Sequence, residues 1–179
     1  MALTISMAKS STVEPVRRNR WIMLFEAIPG GAATLTEDLA FAAKTVTLPN
    51  KTYTEGSTQR LNEWFYSAGK IQWNQITATF YDYIEQNSAA QILDTWASEI
   101  YNPLTGQMKY KSQYTTNGTI AQLDPLGVVF RSWNLFHVWP MTVTFGENLS
   151  SEDDTISEIS ATFRYDYAIK TADTGPNDQ

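Results

Sequence analysis

Residues 156–169 read ISEISATFRYDYAI. One alternate set is Ile159, Ala161, Phe163, Tyr165, Tyr167 and Ile169; the other is Glu158, Ser160, Thr162, Arg164 and Asp166. Successive side chains of a strand point to opposite faces, so period-two alternation of this length predicts one long strand with a buried and a wet face. It follows a Trp139-Pro140 step and a polar, acidic stretch at 146–155, GENLSSEDDT. A long two-faced strand closing a chain that is mostly β points to a protein that builds a surface rather than to an enzyme.

The chain has 179 residues, enough for one domain with a real core. Residues 1–18 are small and polar and read as an N-terminal arm, residues 19–170 as a single domain, and residues 171–179 as a flexible tail. Aromatic residues make up 13% and charged residues only 18%, against roughly 25% charged in ordinary soluble domains. Tyr and Trp are favoured where subunits meet, so this balance fits a surface that another subunit covers; a large aromatic core fits it too. The net charge is −6, which leaves no basic grip for tight binding to nucleic acid and suits a wall past which DNA slides. There is no cysteine, hence no disulfide and no thiolate metal site. No apolar run approaches the ~20 residues that span a bilayer, so no membrane anchor is expected. The N-terminus lacks the order of a signal peptide, and Met1 is expected to begin the working chain.

Along the chain, residues 21–28 form a first strand, apolar on both faces, ended by Pro29-Gly30-Gly31. The cluster Arg17, Arg18 and Arg20 before it fits either a solvated face or a dock for an acidic neighbour. A second strand is expected over 39–48, anchored by Phe41 and Val46, then a polar, turn-rich stretch at 49–58. A strand over 58–67, a turn at Ala68-Gly69-Lys70 and a long strand over 71–84 follow. The period then switches: Ala89, Leu93, Trp96, Ala97 and Ile100 recur at helical spacing after Ser88, which has Gln91 three residues on, a capping pattern. This predicts one amphipathic helix at about 88–101, stopped by Asn102-Pro103. Asn117-Gly118 predicts a hairpin between strands at 109–116 and 119–123. A strand over 127–137 is bent or interrupted at Trp139-Pro140, with Met141, Val143 and Phe145 resuming the alternation. The expected core comprises Phe25, Phe80, Leu93, Trp96, Ile100, Phe163, Tyr165 and Tyr167.

No catalytic set emerges. His137 is the single histidine, and no Gly-x-Ser-x-Gly turn presents a nucleophile. Glu147, Glu152, Asp153 and Asp154 do not have calcium-loop spacing, and Gly30-Gly31 is no phosphate-binding motif. Asp82 and Asp166 are too weak a pair to carry glycoside chemistry. No cofactor, metal or catalytic residue is expected.

In their order, these segments resemble the tail tube proteins of contractile-tailed bacteriophages of the T-even type, over roughly residues 19–169. The likeness rests on the strand opening at Arg20-Trp21 and running through Phe25-Glu26, and on residues 41–49, FAAKTVTLP. It continues through the long strand from Trp73 to Phe80 leading into a helix with Trp96, the Trp139-Pro140 step, and the ending Tyr165-Asp166-Tyr167. The resemblance implies a mainly β fold: two packed antiparallel sheets in a β-sandwich with one flanking helix. It implies a structural virion protein whose six-fold rings stack into a hollow tail tube, assembled in the host cytoplasm. The implied partners are further copies, a sheath, a tape measure protein, baseplate and tail terminator proteins, and DNA in passage. Tubes of contractile injection and type VI secretion systems share the architecture and remain an alternative, as does a carbohydrate-binding sandwich whose Trp and Tyr stack on sugars. Segment 49–66 has the place of the family's ring-stacking loop, which makes Asn50, Lys51, Tyr53, Glu55, Gln59, Arg60 and Glu63 candidates for that contact. Glu158, Ser160, Thr162 and Asp166 are candidates for a lumen wall or another solvated face.

Overall fold

The computed structural model describes residues 15–31, 35–84, 86–146, 150–152 and 154–171. Most of the expected arm and tail, with Glu147 and Asp153 of the acidic stretch, lie outside them. The elements in chain order are β1 (Trp21–Phe25), α1 (Leu35–Ala42), β2 (Ala43–Val46), β3 (Lys51–Arg60), β4 (Glu63–Trp73) and β5 (Ile76–Tyr81). There follow α2 (Ala89–Ile100), β6 (Tyr101–Asn102), β7 (Gln107–Met108), the one-turn α3 (Lys111–Tyr114), β8 (Thr116–Leu123), β9 (Val129–Thr144), β10 (Glu158–Arg164) and β11 (Tyr167–Lys170). The fold is mainly β and its sheet pairings are antiparallel.

β9 belongs to two sheets. Its first part pairs with β8 and β11, and β8 carries β1. Its last part pairs with β10, which continues through β5 to β2. The buried positions change parity between the two parts: Leu135 is buried, then Val138 and Pro140. The slip falls at His137, which takes a φ of 55°. One residue in the left-handed region re-aims every later side chain, the usual device by which a strand turns a corner. The bend expected at Trp139-Pro140 therefore lies two residues earlier.

The same corner divides the C-terminal segment. β10 buries Ile159, Ala161 and Phe163, and Tyr165 is buried just beyond its end. The chain then breaks at Asp166, whose N–H donates to the Phe136 carbonyl at 3.0 Å, and crosses to the other sheet as β11. The alternation does not survive the crossing. Tyr167, expected in the core, is 40% exposed and stacks on Phe136 at 4.5 Å, and Ile169 is exposed as well.

Between the sheets and helices lies a cluster centred on Trp96, whose side chain is fully buried. Phe25 meets it edge-on at 5.1 Å, Phe163 lies 5.7 Å away, and Phe80 abuts Phe163. The Trp96 indole N–H donates to the Tyr114 carbonyl at 2.8 Å, which satisfies its one polar atom. α2 begins as its pattern requires, with the Ser88 hydroxyl accepting from the Gln91 N–H. Its buried stripe is Ala89, Ile92, Leu93 and Trp96; Ile100, expected in the core, is only half-buried at the helix end.

Four other expectations change. Residues 35–42 are a helix, not the start of a strand: Leu35, Leu39 and Ala42 share a face, and Glu37 and Asp38 lie in the first turn, where the helix dipole favours acids. Phe41 is consequently 80% exposed rather than an anchor. Among the described residues two substantial helices thus lie beside the sheets, where one was expected. Asn117-Gly118 makes no turn but sits inside β8 at a bulge. Gly118 faces Phe25 so closely that a β-carbon there would come within 3.0 Å of the ring, so the glycine serves close approach and not reversal.

Trp96→Ala is expected to destabilise the chain by roughly 3–5 kcal/mol, read as a lower midpoint in urea denaturation. A shift within error would contradict the central position of Trp96.

Candidate functional site: two assembly surfaces

The strands of the second sheet each carry a tripeptide with hydroxyls at its ends and a small apolar residue at its centre: Thr45-Val46-Thr47, Thr77-Ala78-Thr79, Thr142-Val143-Thr144 and Ser160-Ala161-Thr162. The register aligns them. Val143, Ala161, Ala78 and Val46 form one row on the core side. On the opposite face, Thr144, Ser160, Thr79 and Thr45 form a row across all four strands. Thr142, Thr162 and Thr77 form the next, continued by Thr47, whose N–H donates to the Thr77 carbonyl at 2.9 Å. The hydroxyls bond among themselves, Thr45 to Thr79 at 3.0 Å, with Thr77 and Thr162 at 3.5 Å.

Glu158, Ser160 and Thr162 lie on this face, as their shared parity requires. Glu158 is ion-paired with Lys44, and that hydrogen bond holds the Lys44 ammonium above the usual lysine range. The charge at this end of the sheet is thereby balanced. Asp166 does not share the face. It lies beyond the end of β10 at the corner, bonded to the Lys111 ammonium at 2.5–2.6 Å and to His137 Nδ1 at 3.1 Å. Across the same corner, Asn117 donates to Glu26, and the Asn117 side-chain oxygen accepts from the His137 N–H. His137 is thus part of a polar clasp on the bent strand. Among the described residues, no group of three His, Asp or Glu is placed to hold a metal.

The four-stranded sheet ends in two edges. Among the described residues, β2 is the last strand on one side, and residues 142–144 of β9 lie outermost on the other, since β8 and β11 pair with the earlier part of β9. Flanking that second edge, Met141 and Phe145 are exposed.

The second surface is the hairpin of β3 and β4, closed by the two-residue loop Leu61-Asn62, with Leu61 at φ 51°. It replaces the turns expected at 49–58 and 68–70 and the separate strand expected at 58–67. Ala68-Gly69-Lys70 is a bulge within β4, where the Lys70 N–H donates to the Thr54 hydroxyl at 2.8 Å. A β-carbon on Gly69 would lie 2.4 Å from that hydroxyl. The expected long strand at 71–84 is broken at Asn74-Gln75 between β4 and β5.

Cross-strand pairs give the hairpin two unlike faces. One carries Lys51/Trp73, Tyr53/Ile71, Glu55/Ala68, Ser57/Tyr66 and Gln59/Trp64; the other carries Thr52/Gln72, Gly56/Ser67, Thr58/Phe65 and Arg60/Glu63. Tyr53, Trp64, Phe65, Tyr66 and Ile71 are all about half exposed or more. The hairpin is anchored at its base. There Trp73 packs on the core cluster 6.0 Å from Tyr165, Lys51 sits over Tyr53 and Trp73, and the Asn74 N–H donates to the Asn50 carbonyl. Burial pushes the Tyr165 phenol up from its ordinary range against the opposing effect of the Asn50 backbone. Of the residues expected in a stacking loop, Asn50 lies at this base, Lys51, Tyr53, Glu55 and Gln59 on the aromatic face, and Arg60 and Glu63 at the tip. Trp64 and Tyr66 lie within segment 49–66 but, with Ile71, are not among the contact residues singled out there, because alternation alone does not tell an exposed aromatic face from a packed one; the signal for exposure is the polar run that pairs with them.

A two-stranded ribbon alone is at best marginally stable in water, and an exposed aromatic face on one marks a candidate contact surface. The sequence matches the family model described as "Phage tail tube protein" over residues 17–170. The chain belongs to the phage tail tube protein family. No curated protein matches the sequence. Among solved structures, the fold is similar to a chain of the cap of the anti-feeding prophage, a tube-terminating cap, with TM-score 0.68 and 16% identity over 95% of this chain and 99% of that one. It is similar as well to a chain of the sheath–tube complex of an extracellular contractile injection system, PVC, in the extended state, with TM-score 0.65 and 18% identity over 96% and 99%. The family is one of structural tube subunits, and this chain has the β-rich fold of such a tail component.

Replacing Trp64 and Tyr66 together by Ser is expected to leave the unfolding free energy of the unassembled chain, read from urea denaturation, within about 0.5 kcal/mol of its parent, as for surface positions generally. A large loss would show that the hairpin packs on its own domain.

Proposed function

We propose that six copies join their sheet edges into a ring and that rings stack into a hollow, non-enzymatic tube. The observation that carries this is the aligned hydroxyl sheet with an open edge on each side. Open edges are an aggregation hazard unless something consumes them, and a closed ring consumes both. β2 of one subunit then lies beside residues 142–144 of the next, and the hydroxyl rows run on around the inside.

In this reading Ser160, Thr162 and their neighbours line the lumen, with Glu158 neutralised by Lys44. A wall made mostly of hydroxyls, on which Arg164 at the end of β10 shares the parity of Ser160 and Thr162, offers phosphate few cations to hold it, which suits a conduit for a tape measure protein and then for DNA. The hairpin makes the ring-to-ring contact through Lys51, Tyr53, Glu55 and Gln59, with Arg60 and Glu63 at its tip and Asn50 at its root. A sheath surrounds the tube, and baseplate and terminator proteins close its ends. Residues 19–170 act as one domain with an arm before it and a tail after it. Subunits assemble in the host cytoplasm into a particle tail. The absence of a catalytic set in the sequence supports a purely structural role. That the similar structures come from contractile injection systems supports a second reading, a tube of such a particle with a protein cargo.

Electron microscopy of the purified chain, alone or with its baseplate partners, is expected to show hollow six-fold rings or tubes. A monomer under every such condition, with tight glycan binding that quenches Trp fluorescence, would instead support a carbohydrate-binding module.

A further inference from the structure

β2 with β3 and β5 with β4 form one antiparallel ribbon, from Ala43↔Phe80 through Lys51↔Trp73 to Arg60↔Glu63. At about 3.3 Å per residue, its two strands run on the order of 50 Å. One end is the aromatic hairpin. Around the other end lie Phe41, 80% exposed, Tyr83, 40% exposed and 5.9 Å from the Phe41 ring, and Ile84, fully exposed. Tyr81 and Tyr83 extend this cluster, with Lys44 over the Tyr81 ring. The two ends cannot meet within one chain, because the ribbon separates them.

Charge distinguishes them as well. In the hairpin Lys51, Arg60 and Lys70 outnumber Glu55 and Glu63; around the far end Glu37, Asp38, Asp82 and Glu158 outnumber Lys44. Glu37 is four residues before Phe41 on α1, hence on the same helix face. Stacking along an axis needs a heterologous contact, with one surface meeting a different surface of the next copy so that the contact repeats without closing. Two unlike, complementary apolar ends on one ribbon have that property.

Resting on the tube reading above, we propose that the aromatic face of the hairpin of one copy docks on the Phe41–Tyr83–Ile84 patch of a second copy in the adjoining ring. Tyr53, Trp64, Tyr66 and Ile71 are then buried against Phe41 and Tyr83, while the basic residues of the hairpin approach the acids of α1 and β10.

The chain has no cysteine, so thiols can be placed at will. Assembled Gln59→Cys/Ile84→Cys protein treated with a short bismaleimide is expected to give a ladder of linked copies on a denaturing gel. Gln59→Cys/Leu126→Cys, which uses an exposed residue of the β8–β9 loop, is expected to give none. Phe41→Glu is expected to reduce tube formation at least tenfold with an unchanged melting temperature. Tubes that give no ladder with the first pair, or a ladder with the second, would overturn this docking while leaving the tube reading intact. Absence of tubes from the unmodified chain under every condition would overturn both.

Discussion

The bend in β9 is the constraint on which the rest of this molecule depends. A single strand serves two sheets, and the slip at His137 lets its earlier part face one layer of the core and its later part another. A histidine at positive φ costs free energy that its surroundings must offset. They do so with a set of fixed polar contacts: the Asn117 side chain on the His137 N–H, the Asp166 carboxylate on the imidazole, and Lys111 on that carboxylate. The individual contacts are exposed and weak. Their combined effect is to fix where the strand turns, and so where β10 ends and β11 begins.

From that corner the two candidate surfaces follow. The later part of β9 places Thr142 and Thr144 beside Ser160 and Thr162 of β10, and β10 carries the register on to β5 and β2. Apolar centres face Trp96 and its neighbours while hydroxyls face away. The ribbon of β2 to β5 then leaves the sheet as a hairpin with little to cover it. Burial on one side and exposure on the other come from the same alternation.

Much of this was legible in the sequence. Ile159, Ala161 and Phe163 alternate over a strand, and Ser88 with the apolar spacing after it marks α2, because these patterns are local and packing agrees with them. What was misread depends on contacts distant in sequence. Tyr167 continues the apolar parity of its segment, yet the chain has by then changed sheets. Phe41 looks like a strand anchor until Leu39 and Ala42 are seen to bury a helix face. Asn117-Gly118 has the chemistry of a turn, but Phe25 on β1 requires a glycine at that place. The four hydroxyl–apolar–hydroxyl tripeptides were visible as residues; only the register reveals that they lie side by side. Trp64 and Tyr66 fall inside segment 49–66, yet hydropathy alone does not distinguish a surface covered by its own chain from one left open to a copy.

Amide hydrogen exchange on the unassembled chain and on the assembled particle tests that distinction most directly. The account predicts that the amides of residues 51–73 exchange rapidly in the free subunit and become strongly protected in the assembly, together with those of β2 and residues 142–144, while the interior strands β5 and β10 are protected in both. Equal protection of the hairpin in the two states would contradict it.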